Sequence, residues 1–276
     1  MNKIAILNLA ALVSSSILVL NSPVYAANNQ DKEDIQNTII RYQAAIGVNP
    51  KNPDTHLKLG DAYMLSGNVT GAIKEYKSAN DLAPSEGQAA YNLGRAYMHE
   101  REIDQAIASF KEACKREPNN ADYHVRLGEV LARKQKDDES IEQFRQAIKA
   151  NASNANAHRD LGAALGLKGD LQGQIQEEQK SIELNGNDAD AHFYLGQAQL
   201  RTDKVAEAQK ELEKAVSLDP KYAMAYHWLA ISMAAQDKMD AAIRNEQKAV
   251  ALEPDNAGYK NSLKKLQSKA GLKGGK

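Results

Sequence analysis

A 34-residue period constrains this chain more than any other feature. The clearest copy runs from Gly87 to Asn120, GQAAYNLGRAYMHEREIDQAIASFKEACKREPNN. Counting Gly87 as position 1, Leu93 and Gly94 stand at positions 7 and 8, Tyr97 at 11, Ala106 at 20, Phe110 at 24, Ala113 at 27 and Pro118 at 32. The pattern returns in both directions and gives six copies without insertion: 53–86, 87–120, 121–154, 155–188, 189–222 and 223–256. A Leu-Gly pair recurs at Leu59-Gly60, Leu93-Gly94, Leu127-Gly128, Leu161-Gly162 and Leu195-Gly196, and becomes Leu229-Ala230 in the sixth. Such a period means stacked supersecondary units rather than one closed core.

Each position has a physical reading. Small residues at 8, 20 and 27 let two antiparallel helices approach closely. The Leu at 7 and the bulky residue at 24 (Tyr76, Phe110, Phe144, Leu212) fill the space between them. Proline at 32 (Pro84, Pro118, Pro220, Pro254) cannot continue the second helix. Asp, Asn or Ser nearby caps the next one. The expected fold is therefore all-α, a row of helix pairs. The fourth copy departs most, with Gln174, Glu178, Ser181 and Gly186 where Ala, aromatic, Ala and Pro are usual; the sixth has Glu246 at position 24. Drift with local loss of stability is the expected meaning, and a hinge or a break facing a partner is the alternative.

The segment 27–52 reads as a polar linker followed by a capping helix over Ile35–Ile46, in phase with a second helix. A final capping helix is expected over 257–270, with Tyr259, Leu263 and Leu266 on one face, and a flexible tail over 271–276. End repeats need polar-backed caps of this kind.

Residues 1–26 read as a targeting segment: Lys3, an apolar run to Leu20, Pro23, and Val24-Tyr25-Ala26 as a cleavage site. A retained anchor is the alternative, but the run is short for a span and contains Asn8 and three serines. The mature chain is thus expected outside the cytoplasm, periplasmic or secreted in a bacterium. The formal net charge of −1 argues against a nucleic-acid binder. The single cysteine, Cys114, excludes an internal disulfide and falls on a face expected to be packed.

The L-G-x2-Y, A-x3-F and P spacing resembles the tetratricopeptide repeat family over about 50–256. The family's Trp at position 4 is missing throughout, replaced by His56, Ala90, His124, His158, His192 and Tyr226. The resemblance implies a right-handed solenoid of antiparallel helix pairs, with each first helix lining a concave groove. It also implies that positions 2, 5, 6, 9, 12 and 13 of that helix face a ligand. Those positions nominate Lys58, Tyr91, Asn92, Arg95, His99, Arg126, Arg133, Arg159, Phe193, Tyr194, His227 and Trp228 for partner binding, beside acids that include Asp122, Glu129, Asp160 and Asp190. A carboxylate clamp for peptide C-termini matches at only two of its five positions, Asn92 and Arg126, and an Asn ladder at position 6 is absent.

Four histidines share position 4. They invite a metal reading, but residues one copy apart lie about 10 Å apart, while a metal holds ligands at about 2 Å. Packing is the expected role. No phosphate loop, nucleophile elbow or paired-carboxylate motif stands out, so neither an enzyme nor a cofactor is expected. The sequence points to a monomeric scaffold that captures a protein or peptide segment; the alternative is an assembly or stability factor of an envelope complex, using convex or end surfaces.

Overall fold

The computed structural model describes residues 29–273, and every regular element among them is an α-helix. The expected cleavage site and the rest of 1–26 lie outside the described residues. The helices fall into two compact units, one ending at Ala83 and one beginning at Pro84. The first holds α1 (Asn29–Val48), α2 (Pro53–Leu65) and α3 (Val69–Leu82). The second continues with α4 (Gln88–His99), α5 (Ile103–Arg116), α6 (Ala121–Arg133), α7 (Asp137–Ala150) and α8 (Ala155–Lys168). It ends with α9 (Leu171–Leu184), α10 (Ala189–Arg201), α11 (Val205–Leu218), α12 (Ala223–Ala235), α13 (Met239–Leu252) and α14 (Ala257–Lys273).

The even-numbered helices α2 to α12 are the first helices of the six copies and the odd-numbered α3 to α13 the second, in the register set by the period. Helix α1 starts at Asn29, earlier than the expected Ile35, because Asn29–Asp34 contains no Gly or Pro to stop it. Its Ile39 packs on Leu59 and Ala62, so it covers the first copy as a cap should. Helix α14 runs through Lys273, past the expected end at 270; residues 271–273 are helical, not tail.

Two features repeat with the period. At position 8 the first helix comes so close to its partner that a Cβ added to Gly94 would lie 2.8 Å from the Phe110 ring, and one on Gly128 2.6 Å from Phe144. At position 15 the turn between the helices takes a left-handed residue: Gly67, Arg101, Gln135, Gly169, Asp203 and Asp237 all have φ between 59° and 87°. Only two of the six are the glycine this conformation favours.

The position-4 histidines are staples. On one ring nitrogen, His56, His158 and His192 meet the carboxylates of Glu75, Glu177 and Glu211 at 2.6–2.7 Å. On the other they meet the backbone carbonyls of Pro50, Ala152 and Gly186 at 3.0–3.3 Å. His124 does the same with Gln143 and Pro118. Each ring thus ties a first helix to its own second helix and to the preceding turn, a packing role that leaves no nitrogen for a metal. Cys114 is buried, and burial pushes its thiol up to about 12, which keeps it unreactive at neutral pH.

In the second unit the first helices contact one another directly, α6 with α8, α8 with α10 and α10 with α12, and no two second helices among the described residues do so comparably. From α6 to α12 the row therefore curves with its first helices on the inside.

Candidate functional site

Steps of three and four residues share one side of a helix, so positions 2, 6, 9 and 13 form a stripe on each first helix. From α4 to α12 the stripe changes chemistry. On α4 it reads Gln88, Asn92, Arg95, His99, and on α6 Asp122, Arg126, Glu129, Arg133. On α8 and α10 it brings Asp160 and Asp190 beside Tyr194. On α12 it is wholly apolar: Met224, Trp228, Ile231, Ala235. Position 13 is exposed in all five.

Position 5 does not join this stripe. It is turned toward the next first helix in the row: Tyr91 stacks on Tyr123 of α6 at 4.8 Å, Phe193 meets Tyr222, which precedes α12, at 5.0 Å, and the His227 ring meets Tyr259 of α14 at 5.0 Å. Phe193, only 1% exposed, is therefore core and not groove surface. His227 is likewise tied down, its Nδ1 2.8 Å from the buried carboxylate of Glu246. Asn92 is buried and accepts a 2.9 Å bond from Gln88, so it offers little open surface. Tyr194 packs on Phe193 and the Leu212–Leu229 cluster, and burial raises its hydroxyl pKa. Trp228 packs on the same cluster, half-buried.

At the α4–α6 end, Arg95 is exposed, its guanidinium 5.9 Å above the Tyr91 ring, and no carboxylate among the described residues pairs with it. Burial alone would lower the pKa of Arg126, but the Glu129 carboxylate, reached at 2.9 and 3.2 Å, outweighs it. His99 is exposed beside Glu100 at 3.9 Å, and Arg133 is exposed. Lys58 is exposed on α2, in the first unit.

At the α8–α10 end, Arg159 is enclosed instead of presented. It donates to Asp160 at 2.9 and 3.1 Å and to Asp188 at 2.8 Å. Asp188 also caps α10. Behind this group lies Glu178, fully buried with neither carboxylate oxygen bonded. Burial pushes Asp160 up to about 6 despite Arg159, and drives Glu178 well above the usual carboxylate range. Asp190 is raised too, first by burial.

Profiles of the tetratricopeptide repeat match residues 41–87, 79–121, 91–144 and 189–222, and a further TPR repeat profile matches 131–169. The chain belongs to the tetratricopeptide repeat family. No curated protein matches the sequence significantly. Among solved structures, a chain of the APC/C hetero-tetramer Cut9–Hcn1 aligns at 18% identity and TM-score 0.66 over 85% of this chain and 46% of its own, so this chain spans less than half of that one. Pseudomonas aeruginosa pilF aligns at 17% identity and TM-score 0.68 over 77% of this chain and 97% of pilF. YrrB, described as a TPR protein with an unusual peptide-binding site, aligns at 22% identity and TM-score 0.59, covering 67% of this chain and 96% of YrrB. At these identities the likeness is one of fold.

Within this tetratricopeptide array, sequence reasoning missed Glu178, Asp188 and Tyr222 as members of a polar cluster. One signal was present: Glu178 replaces the aromatic at position 24, and a buried acid at that place needs a reason. A second signal was the pairing of His at position 4 with Glu or Gln at 23, which fails together in the second copy, where Ala90 accompanies Ser109.

Proposed function

We propose that the array is a non-catalytic scaffold that captures an extended or helical segment of another protein along the first-helix face of α4–α12. The observation that carries this reading is Arg95, exposed on a ledge of stacked Tyr91 and Tyr123 with no carboxylate partner among the described residues. Exposed Arg on Tyr is the composition of binding hot spots, and its charge suits an acidic group on the segment. The apolar stripe of α12, with Trp228, suits an apolar side chain further along. The peptide-binding site for which YrrB is described supports the same use of this fold.

The test is affinity for a partner captured by crosslinking from the producing cells. Arg95→Glu should weaken it by about tenfold or more, since a charge reversal replaces attraction by repulsion; unchanged affinity contradicts the reading. The protein is further read as a monomer exported from a bacterial cytoplasm. A mature N-terminus at Ala27 by mass spectrometry and a monomer mass by light scattering are expected; a retained Met1 or a dimer mass contradicts these.

A further inference from the structure

The cluster between α8 and α10 holds more carboxyl groups than it pairs with cations. Asp160, Glu178, Asp188 and Asp190 gather around a single guanidinium, Arg159, whose donors are already divided between Asp160 Oδ1 and Asp188 Oδ2. The second oxygen of Asp160 and both oxygens of Glu178 are buried without a bond. A buried polar atom left without a partner is costly, and the fourth copy holds five, these three carboxylate oxygens together with Gln174 Oε1 and Ser181 Oγ; the oxygens of Glu178 lie behind the half-buried face formed by Asp160, Asp188 and Asp190. Tyr194 and the Tyr222 hydroxyl, which faces Asp190, close the cluster from the α10 and α12 sides. On α6, Glu129 adds a further negative field to Asp160. On the far side of α9, Glu177 is already occupied by His158.

The cluster is not sealed. The Asp160 and Asp188 side chains keep 16% and 10% of their surface open. Among the described residues, no three acidic, His or Cys groups converge as metal ligands would. What fits is a cation that brings several N–H donors of its own.

We propose that the α8–α10 stretch of the first-helix face binds a basic side chain, lysine or arginine, of the partner segment. This rests on the groove reading above and gives the segment an order: an acidic group over α4–α6, a basic one over α8–α10, an apolar one over α12. A second cation against Asp160 and Asp190 lowers the cost of charge on Glu178 behind them. Glu178, whose buried and unbonded carboxyl favours its proton, then gives it up more readily on binding. Affinity therefore rises with pH, and binding is accompanied by proton release.

The probes are Nα-acetyl-arginine methylamide and Nα-acetyl-lysine methylamide, with the uncharged citrulline analogue as control, titrated into the full chain and followed by carboxyl and amide NMR. The expected result is saturable shifts confined to α8–α10, with the Glu178 carboxyl moving to its ionised position, for the cations and not for citrulline. Asp160→Asn should weaken cation binding by about tenfold. Glu178→Gln should keep the fold and abolish proton release, read calorimetrically as loss of dependence on buffer ionisation heat. Equal shifts with citrulline, no shift in the cluster, or undiminished proton release in Glu178→Gln overturns the proposal. A captured partner that binds Asp160→Asn normally but is lost with Arg95→Glu overturns only the cation site and leaves the groove reading standing.

Discussion

The buried histidines show how single residues hold one copy to the next. His158 closes two bonds, to Glu177 and to the carbonyl of Ala152, with its ring buried. Replacing it by Ala strands both acceptors, so His158→Ala should cost about 1–3 kcal/mol in denaturant unfolding; a smaller loss than for an exposed substitution such as Asn156→Ala would contradict the staple. Arg101 makes the opposite case. Its φ of 61° is unfavourable for any residue with a Cβ. Arg101→Gly should therefore stabilise by about 0.5–1 kcal/mol, the left-handed penalty less the entropy glycine loses on folding. Both positions were open to sequence reading only in part. The period gave position 4 a packing role, but its bond partner at position 23 is visible only once the two helices are laid side by side. The turn at position 15 carries six residues of four types, so no composition rule marks it.

Among the elements, α9 differs from its counterparts. In four of the five copies with a glycine at position 8 the second helix presents Tyr76, Phe110, Phe144 or Leu212 to it, while α9 presents Glu178 to Gly162; α13 also carries an acid at this place, Glu246, but His227 pairs with it at 2.8 Å, whereas Glu178 has no bond. The departure of this copy was legible in the sequence as lost consensus residues. Whether it meant drift or use was not, because that depends on what surrounds Glu178, and its neighbours Asp160, Asp188 and Asp190 come from other helices. Folded-state burial raises the Glu178 pKa above its unfolded value, so the folded chain holds this proton more tightly. The associated stability is full below about pH 4, the unfolded carboxyl range, and is lost as pH rises through the folded value. Glu178→Gln, which cannot ionise, should raise hydrogen-exchange protection in α8 and α9 at pH 8 more than at pH 5; an equal change at both values would contradict this account.

For the whole molecule, the period settled the architecture: the six helix pairs, their register and the small residues between them follow from spacing alone. The face was less legible. Family geometry assigns position 5 to the ligand side, yet in this chain it carries Phe193, Arg159 and His227 toward the next first helix in the row, where they meet Tyr222, Asp188 and Tyr259. What remains of the stripe at positions 2, 6, 9 and 13 is open most fully at position 13, position 6 being largely enclosed at Asn92 and Tyr194, and its order from basic to acidic to apolar exists only as a sum over five helices. The most direct test of that face compares Arg95→Glu on α4 with Lys210→Glu, an exposed reversal on the second helix α11, for binding to the crosslinked partner, with the chain's single tryptophan, Trp228, as a fluorescence reporter. The prediction is a loss of about tenfold or more for Arg95→Glu, no change for Lys210→Glu, and equal melting temperatures for both. Full binding by Arg95→Glu together with loss in Lys210→Glu would place recognition on the outer face and contradict the account.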